Sequence, residues 1–532
     1  MKRANRPWWQ TTTIYQIYPR SFQDSNGDGV GDLRGIVTRI PYLKEMGIGT
    51  VWISPFFPSP MKDFGYDISD YCEVDPLFGS MADFDALLSA LHENGMRLIL
   101  DLVPNHTSDQ HPWFGESRSS RSSRRRDWYI WRDPAADRGP PNNWLSEFGG
   151  SAWTFDSETG QYYYHAFLAE QPDLNWRNPD VRAAMHDVMR FWLRKGVDGF
   201  RIDVMWHLMK DAQFRDNPPN PAYDDSRAPH ESLLTRYSAD VDEVHDVVRG
   251  MREVVDAFDD RLLIGEIYLP LERLVAYYGA DLDGAHLPFN FSLLSTPWTA
   301  AEIEALVKRY ESLLPAGAWP NWVLGNHDRR RLASRIGREQ LRNAAMLLLT
   351  LRGTPTLYYG DELGLMHADI PADRIRDPYE INVPGKGVGR DGARTPMQWS
   401  SRINAGFSSA EPWLPLGEDW RTENVEAWAG DTTSLLAFYR RLIAFRKESP
   451  ALQIGDYEGI GCVDGALWFV RRHGAERLLI ALNLTGKTVT LDTAPQRGEV
   501  VISTLAERGN DIIRKPIELR PHEGLIIRDG AA

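Results

Sequence analysis

Eight short runs of apolar and β-branched residues alternate with longer helical patterns over the first 360 residues. Strands that alternate with helices favour a parallel sheet, and eight repeats fit an α/β fold of the (β/α)8 TIM barrel type. A doubly wound open sheet is the structural alternative. The candidate strands are TIYQIY (13–18), TVWIS (50–54), RLILDLV (97–103), GFRIDV (199–204), LLIGEI (262–267), GAHLPFN (284–290), NWVLGN (321–326) and TPTLYYG (354–360).

Helical periodicity separates several of these runs. The apolar residues Leu33, Ile36, Val37, Ile40 and Leu43 recur with a period of about 3.6 residues, which is typical of an amphipathic helix. The segment 181–196 has the same pattern and ends at a glycine, a common residue just beyond a helix C-terminus.

The chain of 532 residues is too long for one compact core, and its pattern changes twice. Residues 104–176 are rich in Pro, Gly, Ser, Trp and Asn, which is unusual for a simple loop and predicts a small inserted domain after the third strand. After residue 450, short strands separated by turn residues predict an all-β sandwich domain. We therefore expect barrel segments at 1–103 and 177–450, the inserted domain at 104–176 and the C-terminal domain at 451–532.

Composition excludes several classes of protein. The net charge of −14 argues against a nucleic-acid partner, and we interpret the basic run RSSRSSRRR (118–126) as a solvated loop. No apolar run reaches the ~18 residues of a membrane span, and the N-terminus lacks a secretory pattern. Two distant cysteines, Cys72 and Cys462, suggest neither a disulfide framework nor a metal site. These features predict a soluble cytoplasmic protein, a monomer or homodimer, without an organic cofactor.

Polar residues cluster where the candidate strands end. Asp101 ends the third run, Asp203 the fourth with Arg201 two residues earlier, and Glu266 the fifth. The active site of a TIM barrel forms at the C-terminal ends of its strands, so these side chains are expected to converge. The remaining members of this set are Asn105, His106, Asn326, His327 and Asp328.

Converging carboxylates allow either metal binding or acid/base and nucleophilic catalysis. Arg201 disfavours a metal, because a fixed positive charge competes with the cation, and it is expected to keep Asp203 ionised. An ionised carboxylate that faces a second carboxyl group is the arrangement used for glycoside cleavage. The 59 aromatic residues, many beside Asp, Asn or Gly, suit sugar rings as well as ordinary packing.

Several motifs together resemble those of glycoside hydrolase family 13, the α-amylase family. The motifs DLVPNH (101–106), GFRID (199–203), GE (265–266) and GNHD (325–328) follow the family order, and QPDLN (171–175) is similar to the oligo-1,6-glucosidase and α-glucosidase branch. The resemblance extends through KDFGYDISDY and GRDGARTPMQW. It implies a retaining enzyme that releases terminal α-glucose from small α-glucosides.

The resemblance also implies a role for individual catalytic residues. Asp203 is expected to be the nucleophile, Glu266 the acid/base, and Asp328 the carboxylate that holds the sugar hydroxyls. Arg201 would orient Asp203. The same comparison assigns the histidines His106 and His327 to hydroxyl groups of the transferred glucose.

Four further residues are expected to shape the pocket on the same grounds. Asp63 and Tyr66 would lie at its closed end, where Asp63 and Arg394 are predicted to form an ion pair. Phe167 is expected near the acceptor. A blocked end restricts cleavage to one terminal glucose.

The preferred linkage stays open among maltose, isomaltose, trehalose and sucrose. In the resembling branch, valine after the nucleophile accompanies tolerance of α-1,6 links, and Val204 occupies that position, although a β-branched residue fits any strand. A trehalose synthase or a transglucosylase would use the same catalytic residues. A non-enzymatic transporter heavy chain is disfavoured by the retained carboxylates.

The loop DSNGDGVGD (24–32) places oxygen-bearing residues at alternate positions. Asp24, Asn26, Asp28 and Asp32, with the Val30 carbonyl, resemble the start of a calcium-binding loop, although Gly35 stands where a bidentate glutamate is usual. The alternative is a polar turn. We expect one structural Ca²⁺, or Mg²⁺, at this loop.

Overall fold

Eight parallel strands form the central sheet in a computed structural model that describes residues 6–492 and 497–529. Counted along the chain, the strands pair in the order 7-8-1-2-3-4-5-6, which confirms the barrel prediction and not the doubly wound alternative. Asn321 links strands six and seven, since its Oδ1 accepts a hydrogen bond from the Asn290 N–H at 2.9 Å. The strands span Ile14–Ile17, Thr50–Ile53, Arg97–Leu102, Gly199–Ile202, Leu262–Gly265, Leu287–Pro288, Asn321–Val323 and Thr354–Tyr358.

The α-helices follow the predicted pattern with one difference. The helix predicted from Leu33 to Leu43 is interrupted at Arg39, because Pro41 lacks the N–H that would continue the first helix. Gly196, with a φ of 107°, ends the helix Pro179–Lys195 as expected. The helices span Leu33–Thr38, Ile40–Met46, Met81–Glu93, Pro112–Arg118, Pro179–Lys195, Val244–Asp256, Leu271–Leu274, Ser292–Ser295, Ala300–Leu313, Leu332–Ile336, Leu341–Thr350, Pro378–Asn382, Val425–Ala429, Leu435–Glu448 and Pro450–Ile454.

The inserted domain contains a three-stranded antiparallel sheet, Trp131–Arg132, Trp153–Asp156 and Gln161–Tyr164. Arginines of the basic run 118–126 form contacts within this domain. Arg118 pairs with Asp156 at 2.8 Å, and the Arg126 guanidinium lies 3.4 Å from the centre of the Trp131 ring. These two arginines therefore stabilise the inserted domain.

The C-terminal domain has two antiparallel sheets. Its first strand begins at Asp456, after the helix Pro450–Ile454, while the exact domain boundaries stay predictions. Among the described residues, no helix has the length and apolar character needed to cross a bilayer. The strands span Asp456–Val463, Ala466–His473, Glu476–Asn483, Val489–Leu491, Arg497–Ser503, Ile512–Arg514, Ile517–Leu519 and Gly524–Asp529.

Candidate active site

Arg201 lies at the centre of the barrel mouth and contacts three carboxyl groups. Its Nη1 donates to Asp101 Oδ1 at 2.6 Å and to Asp203 Oδ1 at 2.7 Å, and its Nη2 lies 2.7 Å from Glu266 Oε1. Strand pairing explains this convergence, since Asp101 is level with Arg201 in the neighbouring strand. Arg201 is fully buried, so its charge is offset by these partners alone.

Because one guanidinium faces three carboxylates, the cluster has an excess of negative charge and can hold a proton. Burial, and then the charge of Glu266, raises the pKa of Asp203 well above its ordinary value. Burial also raises the pKa of Glu266 and brings the pKa of Asp101 to about 7, although Arg201 opposes both shifts. Arg201 opposes the rise for Asp203 as well, as expected of a guanidinium that favours the ionised carboxylate. The three groups titrate together.

Glu266 is held by the backbone that follows Asp203. Val204 adopts a left-handed conformation with a φ of 36°, which is unusual for a β-branched residue. Its N–H donates to Glu266 Oε2 at 2.8 Å. Val204 thus fixes the orientation of the Glu266 carboxyl group.

Asp328 is the carboxyl group that arginines keep ionised. Arg394 Nη2 donates to Asp328 Oδ1 at 2.9 Å, and Arg390 Nη1 lies 3.5 Å from the same oxygen. Burial raises the pKa of Asp328, but His327 and the two arginines outweigh that effect and lower it. Because burial lowers the pKa of His327 to about 3, the histidine is neutral at pH 7 and the arginines supply the stabilising charge.

His327 connects the seventh strand to the rest of the pocket. Its Nδ1 lies 2.7 Å from Gln16 Nε2, and its Nε2 lies 2.6 Å from the Tyr66 hydroxyl. Tyr66 in turn donates to Asp101 Oδ2 at 3.1 Å, and its ring stacks on His327. These contacts place a neutral imidazole in one orientation beside the carboxyl groups.

The closed end of the pocket uses a different arginine from the one predicted. Arg390 Nη2 donates to Asp63 Oδ1 at 2.7 Å, and Arg390 also pairs with buried Asp377. The predicted Asp63–Arg394 pair is wrong, because Arg394 lies one short turn later and is directed at Asp328. Both arginines belong to the motif GRDGARTPM, so the sequence identified the segment and not the residue.

The inserted domain supplies the aromatic wall of the pocket. Phe167 lies with its ring centre 5.3 Å from that of His106 and 5.5 Å from that of His207. Phe148 packs against Phe167. Sequence reasoning missed Phe148 and the neighbouring Glu147, because nothing in their local pattern distinguishes them from other loop residues.

These side chains line a cavity of about 1030 Å³ at the barrel mouth. Arg201 and Arg394 lie behind the carboxyl groups and not on the cavity surface. The structure brings eight of the predicted residues to the cavity: Asp63, Tyr66, His106, Phe167, Asp203, Glu266, His327 and Asp328.

The predicted calcium loop is rich in suitable oxygen atoms, but these atoms already accept hydrogen bonds. Asp24 accepts four, from the N–H groups of Asn26, Gly27 and Gly29 and from Ser408. Asp32 accepts three hydrogen bonds, which include the N-terminal cap of the helix Leu33–Thr38. The remaining predicted ligands, Asn26, Asp28 and Val30, lie in the same turn, where Asn26 Oδ1 accepts from the Asp28 N–H and Asp28 Oδ1 accepts from the Val30 N–H. A cation would fit this loop only if Asp24 exchanged some of its four bonds, so the site stays a prediction.

Comparison with known proteins agrees with this geometry. Residues 16–455 match the family of the α-amylase catalytic domain, so the chain belongs to that family, glycoside hydrolase family 13. A probable α-glucosidase of Rhizobium meliloti is 43% identical, over 93% of this chain and 92% of its own. An oligo-1,6-glucosidase of Heyndrickxia coagulans is 36% identical, over 96% and 98%. The α-glucosyl transfer enzyme XgtA superposes with a TM-score of 0.93 at 40% identity, over 99% and 100%. The protein is a glycoside hydrolase of the α-glucosidase class.

Proposed function

We propose that the protein is a retaining exo-acting α-glucosidase that releases terminal glucose from small α-glucosides through a covalent intermediate on Asp203. One observation carries the proposal: Asp203 and Glu266 follow adjacent strands, share the contact with Arg201 and line one cavity. The Asp63–Arg390 pair supports attack on a terminal unit. Both cysteines are free, which supports a reducing, cytoplasmic location.

The reaction proceeds in two displacements. Glu266 gives a proton to the glycosidic oxygen while Asp203 Oδ attacks the anomeric carbon, so the bond to the leaving sugar breaks and a β-glucosyl ester forms. Glu266 then removes a proton from water, whose oxygen displaces Asp203 and restores the α configuration. We expect the two carboxyl groups to lie about 5–5.5 Å apart in the substrate complex, as retaining glycosidases require.

A trapping experiment tests this mechanism directly. Incubation with 5-fluoro-α-glucosyl fluoride should attach a fluoroglucosyl group to the peptide that contains Asp203, as read by mass spectrometry. Asp203→Asn should prevent labelling, and Asp109→Asn, a carboxyl outside the cavity, should not. Labelling of another residue, or β-glucose as the first product by NMR, would refute the proposal.

Transglucosylation is the second candidate function. The name of XgtA describes transfer of an α-glucosyl group by that protein. The cavity of about 1030 Å³ here exceeds the volume of one glucosyl unit, so a sugar acceptor can occupy it together with the intermediate. Products formed at rising maltose concentration distinguish the functions. Glucose alone indicates hydrolysis, and trehalose or trisaccharides indicate transfer.

A further inference from the structure

Two consecutive arginines at the cavity mouth lack a carboxylate partner. Arg329 and Arg330 directly follow Asp328, and both are exposed and line the cavity. Within residues 6–492 and 497–529, neither forms an ion pair, whereas the arginines at the pocket end do. An arginine on an open surface needs no partner, but two at the entrance of a substrate cavity place a positive charge where the ligand passes.

Arg329 also has a defined position. Its guanidinium carbon lies 4.8 Å from the centre of the Tyr268 ring, which lines the same cavity. Tyr268 is itself fixed, since its ring stacks on Phe291 and its hydroxyl accepts from Asn326 Nδ2 at 2.8 Å. A guanidinium held against an aromatic face loses less conformational entropy on binding than a freely moving one.

The two glutamates at this mouth, Glu147 and Glu231, are already paired with other residues. Glu147 Oε2 lies 3.0 Å from His230 Nε2, and Arg227 pairs with Glu231 at 3.1 Å. Burial raises the pKa of Glu147, but the charges of His230, His207 and Arg329 outweigh it and lower that pKa to about 2. With these acidic residues paired, Arg329 and Arg330 stay at the mouth without a carboxylate partner among the described residues, in a chain with a net charge of −14.

We infer that the leaving-group side of the pocket binds an aglycone that carries an anionic group, a carboxylate or a phosphate, and that Arg329 and Arg330 hold this group. The inference rests on the proposed α-glucosidase function and names its substrate class. If the glucosyl unit binds at Asp328, as the proposed function requires, an aglycone that extends toward the mouth passes the next two residues of the chain. Guanidinium groups bind carboxylates and phosphates through paired hydrogen bonds.

A matched pair of substrates tests the inference. Maltobionate and maltitol share the glucosyl unit, the α-1,4 linkage and an open-chain aglycone, and differ by a carboxylate in place of a hydroxymethyl group. We expect kcat/KM for maltobionate to exceed that for maltitol by about fivefold at low salt, within the range of partly exposed ion pairs. Added salt should reduce the preference. Maltose with a phosphate on its reducing unit, compared with maltose, tests the phosphate alternative.

Variants identify the residues responsible. Arg329→Gln, Arg330→Gln and the double variant should reduce the ratio of the two kcat/KM values toward one. Arg421→Gln is the matched control, since Arg421 lies over the Trp420 ring outside the cavity, and it should leave the ratio unchanged. A ratio at or below one in the wild type for both anionic substrates, or an unchanged ratio in the double variant, overturns the inference. Failure to cleave any neutral α-glucoside contradicts the proposed function instead.

Discussion

Val204 donates its backbone N–H to Glu266 Oε2 at 2.8 Å, and its side chain lines the substrate cavity. Val204 therefore has two roles, one through its backbone and one through its side chain. Its amide orients Glu266, the proposed acid/base, and the residue lines the cavity in which the proposed substrate would bind. A change at this position has to preserve the first role in order to reveal the second.

Val204→Thr is such a change, because threonine keeps the β-branch and the amide. We expect the ratio of isomaltose to maltose hydrolysis to fall, by no more than the ~1–3 kcal/mol that one group contributes in a pocket. Kinetics on both disaccharides measures the ratio. Val103→Thr, a buried change away from the cavity, is the control. An unchanged ratio in Val204→Thr would remove this residue as a determinant of linkage.

The catalytic carboxyl groups should be separable by their leaving-group dependence. Asp203→Asn should lower kcat by several orders of magnitude for every substrate. Glu266→Gln should lower it by about 10²–10⁴ for maltose, the usual contribution of general acid catalysis, and by less for p-nitrophenyl α-glucoside, whose leaving group needs no proton. Retention of a tenth of wild-type activity on maltose by either variant would contradict the assignments.

The Asp63–Arg390 pair predicts coupling in a double-mutant cycle. Asp63→Ala and Arg390→Ala should each raise the Ki of glucose, and the double variant should fall short of additivity by about 0.5–3 kcal/mol, as residues in contact do. Asp63→Ala with Arg394→Ala should be closer to additive, since no hydrogen bond joins that pair. Equal coupling in both cycles would show that Arg390 has no special role.

Stability should depend on pH through Asp101. Asp101 titrates together with Asp203 and Glu266, and its pKa is about 7 in the folded protein against ~3.9 in an unfolded chain, so the folded state binds more protons between these values. Stability from this group is complete below pH ~4 and is lost as the pH rises toward 7. The Tm of the wild type should therefore decline from pH 5 to 8, and Asp101→Asn should reduce that decline. If the Tm of Asp101→Asn declines with pH as steeply as that of the wild type, other groups cause the pH dependence.

Calcium should act on stability more than on turnover. If the 24–32 loop binds Ca²⁺, free ion at 100 times its Kd stabilises the folded state by about 2.7 kcal/mol. EDTA should lower the Tm of the wild type and leave the Tm of Asp28→Ala unchanged. Equal Tm values with and without Ca²⁺, and no bound ion by metal analysis, would exclude the site.

The barrel and the carboxyl groups at its mouth were predictable because strands three, four, five and seven each lead into polar residues at the same end. Asp63, Tyr66 and Phe167 were assigned only through the motif resemblance. The contacts made by individual residues within a motif were not predictable from the sequence. Arg390 and Arg394 are four residues apart, and only the path of the short turn between them decides which one meets Asp63. The sequence analysis did not single out Arg329, since its position over Tyr268 depends on packing between two separate loops.

The contact between Asp63 and Arg390 joins residues 327 positions apart, and the first strand pairs with the eighth. During synthesis, a nascent chain therefore carries Asp203 and Glu266, the proposed nucleophile and acid/base, long before Arg390 can close the end of the pocket. Loop closure over such distances slows folding. The proposed exo-specificity would consequently be a property of the completed chain, because a fragment that ends before residue 390 lacks the Asp63–Arg390 pair at the closed end of the pocket.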